Sequence, residues 1–261
     1  MKEGNRYQME LKIITPQDQA KGEFDGGKIV EQKPIGFSGE GSLINRLGPL
    51  FYWAWAKSEG EGGIGFHPHQ GFEIVTYIIK GSGRHQDTLG TISDVGAGGA
   101  QVMQTGSGVY HAESILEPFE GFQIWFEPHL SKAIKRTPTY SKYVHEDFPI
   151  TSENRVTTKT ILGEHSPIRI VTDAKMYDVE IANGAAYQYA LSPNRTLAGL
   201  AIRGDGGVIE ESGASFENKD FVIIESEKGQ SITIQPKNED FRMILIEIPT
   251  EVDYPLYRKP R

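Results

Sequence analysis

Histidine is scarce in this chain, seven in 261 residues, yet three fall in two short strings, His67-Pro68-His69-Gln70-Gly71-Phe72-Glu73 and His111-Ala112-Glu113. Each string sets two metal-capable side chains two residues apart. In a strand, successive side chains point to opposite faces, so an i, i+2 pair shares one face. Two such strands side by side would present three imidazoles and one carboxylate to a common point. Mixed imidazole and carboxylate ligation with open positions suits a divalent transition metal such as Fe(II), Mn, Ni or Cu. Spacing does not choose the carboxylate: Glu73 keeps the parity of His67 and His69, and Glu113 keeps that of His111. Phe72, Ile74, Tyr77 and Ile79 follow the first string, and Val102, Met103, Val109 and Tyr110 precede the second. An apolar rim around a small polar cluster is the usual composition of a small-molecule site.

The elements that must position these residues read as strands. Apolar runs are short and rich in β-branched and aromatic residues: Phe72 to Ile79, Phe122 to Phe126, Phe221 to Glu225, Ser231 to Ile234 and Met243 to Ile248. Each is strand length and bounded by Gly, Pro, Asn or Asp. The spacing predicts an all-β sandwich or barrel with antiparallel pairing. Gly81-Ser82-Gly83-Arg84-His85 reads as a hairpin return, and Gly106-Ser107-Gly108 as a tight turn feeding the second string. A composition shift between His129 and Arg155 reads as the connection between two β domains, with a short helix around Ser141 to Asp147. The second half, about 156 to 250, carries its own strands and turns, contains only His165, and has no His-x-His.

The chain has no cysteine, which excludes disulfides, zinc fingers and thiolate catalysis. A formal net charge of -8 argues against nucleic acid as the ligand. No run of about 18 apolar residues occurs, so no membrane span is expected. Met1-Lys2-Glu3-Gly4-Asn5-Arg6 leads into a polar stretch without an apolar signal-peptide core, and a cytoplasmic location is the expectation.

Three stretches carry a resemblance. Gly65-Phe66-His67-Pro68-His69-Gln70-Gly71-Phe72-Glu73, His85-Gln86-Asp87-Thr88-Leu89-Gly90 and the run from Gly98 through Gln101-Val102-Met103 to His111-Ala112-Glu113 resemble the hallmarks of the pirin family, a branch of the cupin superfamily. Gly163-Glu164-His165-Ser166-Pro167-Ile168 resembles the element that opens the pirin C-terminal domain. The resemblance is sharp over about 65 to 127 and fainter over about 160 to 248.

It implies two cupin-type antiparallel β-barrels in one chain, a bicupin, with an N-terminal cupin domain over 1–140 holding the metal site and a C-terminal cupin-like domain over 141–261 without one. It implies the ligand set His67, His69, His111 and Glu113, with Glu73 moved outward, either to orient a ligand imidazole or to stand as a rim carboxylate without that role. The implied cofactor is one divalent transition metal, Fe(II) first, with Mn, Ni, Cu or Zn as alternatives. The implied activity is that of a quercetin 2,3-dioxygenase, with a small aromatic substrate and O2, and with Glu113 or Glu73 as the proton acceptor. Phe66, Met103, Tyr110, Phe122 and Trp125 would wall the pocket or else fill the barrel core, and for Phe122 and Trp125, which lie in an apolar run, the core reading comes first. The other function the resemblance implies is a non-enzymatic, iron-dependent regulator that binds a transcription factor or a metabolic enzyme. The chain also departs from the family pattern. Gly99 replaces an Asp, Val102 a Trp and Gln70 an Arg; the upstream Asp-Pro-Phe segment is not apparent, and the C-terminal string is Tyr254-Pro255-Leu256-Tyr257-Arg258-Lys259-Pro260-Arg261.

Overall fold

The computed structural model describes residues 9–259. The stretch Met1–Arg6, on which the leader reading rests, lies outside the described residues, as do Pro260 and Arg261. The chain is all-β, with every strand ladder antiparallel. The only α-helix among the described residues is the single turn Leu130–Ala133, so none is long and apolar enough to cross a membrane.

The two halves repeat one architecture. In the first, a seven-stranded sheet runs in the order Thr139–Tyr143, Ala100–Gln104, Glu73–Lys80, Phe119–Phe126, Leu50–Ser58, Ile29–Ile35, Ala20–Phe24. It faces a four-stranded sheet ordered Gly62–His69, Val109–Ile115, Ser82–Asp87, Ile92–Gly96. The second half pairs another seven-stranded sheet with the four strands Tyr187–Leu191, Gln230–Pro236, Gly207–Ile209 and Ala214–Phe216. Two cupin-type barrels in one chain result, as the resemblance implied.

The two large sheets pack back to back. Their shared core joins Trp53, Trp55, Val75 and Tyr77 of the first to Ile161, Met176, Leu200, Phe221 and Ile246 of the second. Inside the first barrel, Phe51, Tyr52, Ile74, Met103, Val109 and Trp125 form a separate cluster. Strand Leu50–Ser58 supplies side chains to both cores, which is why Leu50 through Trp55 is buried without alternation.

The chain ends cross between the halves. Strand Glu10–Ile14 pairs with Phe221–Ser226 in the second half's large sheet. The tail returns to the first half, where Tyr254 Oη donates to the Glu127 carbonyl at 2.8 Å and Arg46 donates to the Tyr257 carbonyl at 2.6 Å.

Two local expectations are corrected. Ser82–Asp87 is not the hairpin partner of Glu73–Lys80; it crosses to the opposite sheet and pairs with Val109–Ile115 and Ile92–Gly96. Gly81 makes the crossing at φ 77°, where a Cβ would lie 2.2 Å from the Pro118 carbonyl oxygen. The helix expected around Ser141 to Asp147 is instead strand Thr139–Tyr143, laid on Ala100–Gln104, followed by a 3-10 turn at His145–Asp147. Edge pairing supplies hydrogen bonds that a short polar helix would lack.

Candidate metal centre

Strands Gly62–His69 and Val109–Ile115 lie side by side with His67 opposite His111 and His69 opposite Val109. Parity turns the three imidazoles to the barrel interior and leaves their alternates, Phe66 and Tyr110, each 53% exposed, on the outer face. The turn before the second strand needs glycine at 106: φ is 48°, and a Cβ there would meet the Arg136 carbonyl oxygen at 2.3 Å.

His67, His69 and His111 each direct one ring nitrogen to a shared point, all within 4.8 Å of one another. His67 Nδ1 donates to the Gly65 carbonyl at 2.8 Å, so in the neutral ring Nε2 is the nitrogen with the free lone pair. That Nε2 faces Nε2 of His111 at 2.9 Å. His69 Nε2 is buried with no hydrogen-bond partner, and its ring stands edge-on to Trp125 with centroids 4.7 Å apart. Burial, reinforced by neighbouring imidazoles, pushes the pKa of His69 down to about 4 and that of His111 down to about 2. Both are therefore neutral near pH 7, the form that ligates metals.

An orphaned buried nitrogen is costly unless something accepts its lone pair. The 2.9 Å between Nε2 of His67 and Nε2 of His111 is short enough for one ion to be shared by both. The same spacing is what two ligands at right angles adopt around an ion with metal–nitrogen bonds of about 2.1 Å. These residues fit a divalent transition metal.

Glu113 lies outside this group of three. Both of its oxygens accept from Gln123 Nε2 at 3.0 Å, and Gln123 Oε1 accepts from Trp125 Nε1 at 3.0 Å. Burial raises its carboxyl above the ordinary value, opposed in part by Gln123, His67 and His85. On the other side of Glu113 is a cavity of about 60 Å³, lined among others by Gln123, Phe122, Gln101, Glu31 and Ile115. That is room for about two waters.

Glu73 does not orient a ligand imidazole. Its carboxylate accepts from Gln104 Nε2 at 2.6 Å, from the N–H groups of Val171 and Thr172 at 2.6 and 2.9 Å, and from Thr172 Oγ1 at 2.7 Å. Sequence parity could not reveal this, because Val171 and Thr172 come from the other half of the chain. Of the residues read as pocket walls, Met103, Phe122 and Trp125 are buried, and Phe66 and Tyr110 point to solvent.

Three residues at the site, His85, Asp87 and Gln123, had no role assigned from sequence. His85 is fully buried, with Nε2 2.7 Å from Asp87 Oδ2 and Nδ1 3.4 Å from His111 Nδ1. Burial alone would raise the Asp87 carboxyl, but His85 and the N–H groups of Thr91 and Leu89 hold it below the ordinary value. The available signal was the spacing itself: His85-x-Asp87 is a third i, i+2 pair. Gln123 carried no sequence signal. In the second half, the corresponding strand pair sets Tyr187 opposite Ile234 and Tyr189 opposite Ile232, with no imidazole.

Comparison with known proteins gives the family and the fold. The Pirin family model matches residues 45–126. A pirin-like protein of Caulobacter vibrioides is 34% identical over 202 residues, covering 74% of this chain and 81% of that protein. Two solved structures share the fold. The pirin YhhW of Escherichia coli, in complex with nickel(II), superposes with a TM-score of 0.77 at 20% identity, over 93% of this chain and 100% of that one. A quercetin 2,3-dioxygenase of Acinetobacter baumannii superposes with a TM-score of 0.78 at 19% identity, over 96% and 82%. With a relative this similar across most of its length, the chain belongs to the pirin family of the cupin superfamily.

Proposed function

We propose that the first barrel, within residues 1–140, holds one divalent transition metal and acts on a small aromatic substrate with O2, as a quercetin 2,3-dioxygenase does. Residues 141–261 are read as a second cupin-like unit without a metal. The observation that carries this reading is the convergence of three imidazoles on one point, with the buried Nε2 of His69 left unpartnered. His67, His69 and His111 would hold the ion, and Glu113, two residues beyond His111 on the same face, would complete the set. Fe(II) is the proposed occupant, ahead of Mn, Ni, Cu and Zn.

A bound metal would supply Lewis acidity toward a substrate hydroxyl. Glu113, buried and held by Gln123 Nε2, would take the proton of that hydroxyl. Gln123 and Trp125 hold Glu113 in place. Trp125 also packs the ring of His69, which limits how the imidazole can turn. The cavity behind Glu113 is far below the ~300–1,000 Å³ that encloses a drug-sized molecule. A flavonol would therefore approach from the side where His67 and His69 are half-buried. We place the chain in the cytoplasm.

The test is O2 uptake by untagged, metal-loaded protein across a flavonol panel. Consumption that depends on flavonol and disappears in His111→Ala supports the enzyme. Bound metal with no turnover on any flavonol overturns it.

A second reading is a metal-dependent regulator that binds a transcription factor or metabolic enzyme. It is favoured by the exposed side chains of Phe66, Tyr110, Leu89 and Ile92 around the outer face of the metal-bearing sheet. Exposed apolar clusters of this kind mark interaction surfaces.

A further inference from the structure

We propose that His85 is a positioning residue for the metal centre: held by Asp87, it fixes His111 in the tautomer that turns a bare Nε2 toward the ion. This rests on the metal-binding reading above and extends it to two residues outside the ligand set.

Strands Ser82–Asp87 and Val109–Ile115 pair with His111 opposite Asp87 and Glu113 opposite His85. His85 and Asp87 are both buried and face inward. The starting point is the 2.7 Å contact between His85 Nε2 and Asp87 Oδ2. A carboxylate only accepts, so the hydrogen is on Nε2. Asp87 cannot swing away, because its other oxygen accepts from the N–H groups of Leu89 at 2.9 Å and Thr91 at 3.1 Å. The plane of the His85 ring is set as well. It stacks on Tyr140 with centroids 4.3 Å apart and planes 20° apart, and Tyr140 Oη is anchored on Gln101 Oε1 at 3.0 Å.

With Nε2 committed to Asp87, a neutral His85 offers Nδ1 as an acceptor. That atom lies 3.4 Å from Nδ1 of His111. A hydrogen bond can exist there only if His111 carries its hydrogen on Nδ1, which strips Nε2 and directs it at Nε2 of His67, 2.9 Å away. His67 reaches the same tautomer by a separate route, through the Gly65 carbonyl. The outer nitrogen of a ligand histidine is ordinarily satisfied by a carboxylate, a carbonyl or water. Here an imidazole is interposed, and the carboxylate acts one ring further out.

Three variants separate positioning from mere packing. His85→Phe fills the space but accepts nothing. His85→Gln can donate to Asp87 and accept from His111. Asp87→Asn can donate to His85 Nε2, which reverses the direction of the chain of hydrogen bonds. The readouts are the ring tautomer of His111 in metal-free protein, by long-range ¹H–¹⁵N NMR, and Ni(II) affinity by competition with a chelator, in variants whose melting shows a folded chain. We expect Nδ1–H on His111 in the parent protein. In His85→Phe and Asp87→Asn we expect loss of that preference and about 10–100-fold weaker Ni(II) binding, with His85→Gln within about threefold of the parent. Nε2–H on His111 of the metal-free parent, or parent-like Ni(II) affinity in folded His85→Phe, overturns the inference. If His85→Phe does not fold, Asp87→Asn and the parent tautomer decide it. A parent protein that binds no metal would remove the reading of the centre, while the tautomer measurement would still decide the role of His85.

Discussion

Nε2 of His67 and Nε2 of His111 face each other at 2.9 Å across two paired strands. The two side chains differ in burial: His111 is 1% exposed, whereas His67 stands at the rim. Their alanine variants should therefore agree in one property and differ in another. Both should lose bound metal, with affinity reduced by at least about 100-fold, more than loss of an outer partner costs. His111→Ala should also cost about 2–3 kcal/mol of stability through the buried space it empties, and His67→Ala less than about 1 kcal/mol. Metal analysis after dialysis and urea unfolding of metal-free protein check both.

Metal should raise the stability of the folded chain. A ligand at 100 times its Kd adds about 2.7 kcal/mol, which for a chain of this size moves Tm up by roughly 5–11 °C. The shift should reverse with chelator and be absent in His69→Ala, because the buried Nε2 of His69 is a nitrogen the protein leaves without a partner. Differential scanning fluorimetry over a Ni(II) titration measures it.

Glu73 ties the two halves together rather than binding metal. Glu73→Ala strips acceptors from Gln104, Val171 and Thr172 at once. The expected cost is about 2–4 kcal/mol, from donors left buried and unpaired. Metal content should stay at the parent value. A folded Glu73→Ala protein that has lost its metal would reinstate this carboxylate at the centre.

Lys159 should give a signature in alkaline solution. Its ammonium is buried between the halves, where it donates to the Gly98 carbonyl and lies 4.9 Å from the Phe148 ring. Burial pulls its pKa from 10.5 down to about 8; Asp178 opposes the shift and Arg242 adds to it. Between pH 8 and 10.5 the unfolded chain binds more protons than the folded one, so this residue's contribution to stability rises with pH across that window. Below pH 8 the cost of the buried charge is present in full. The rise is capped at about 3 kcal/mol. Lys159→Met should remove it. The stability difference between parent and variant, from urea unfolding at pH 7.5 and 10, should shift in the parent's favour at the higher pH; a constant difference refutes the assignment.

Much of this protein follows from local pattern. Short β-branched runs between turn residues determine an all-β chain, because strand length and turn chemistry are set over a few residues. That His67 and His69 share a face, and His111 and Glu113 another, follows from the two-residue period of a strand. Tertiary structure decided what lies across from each face. It placed Glu73 against Val171 and Thr172, residues about a hundred positions away, and Glu113 against Gln123. It sent Ser82–Asp87 across to the other sheet, where His85 comes to lie behind His111, and it laid Glu10–Ile14 on the far half of the chain. The period says which side chains point the same way. Which partner fills the space in front of them depends on burial summed over the whole chain, and no window of sequence contains that sum.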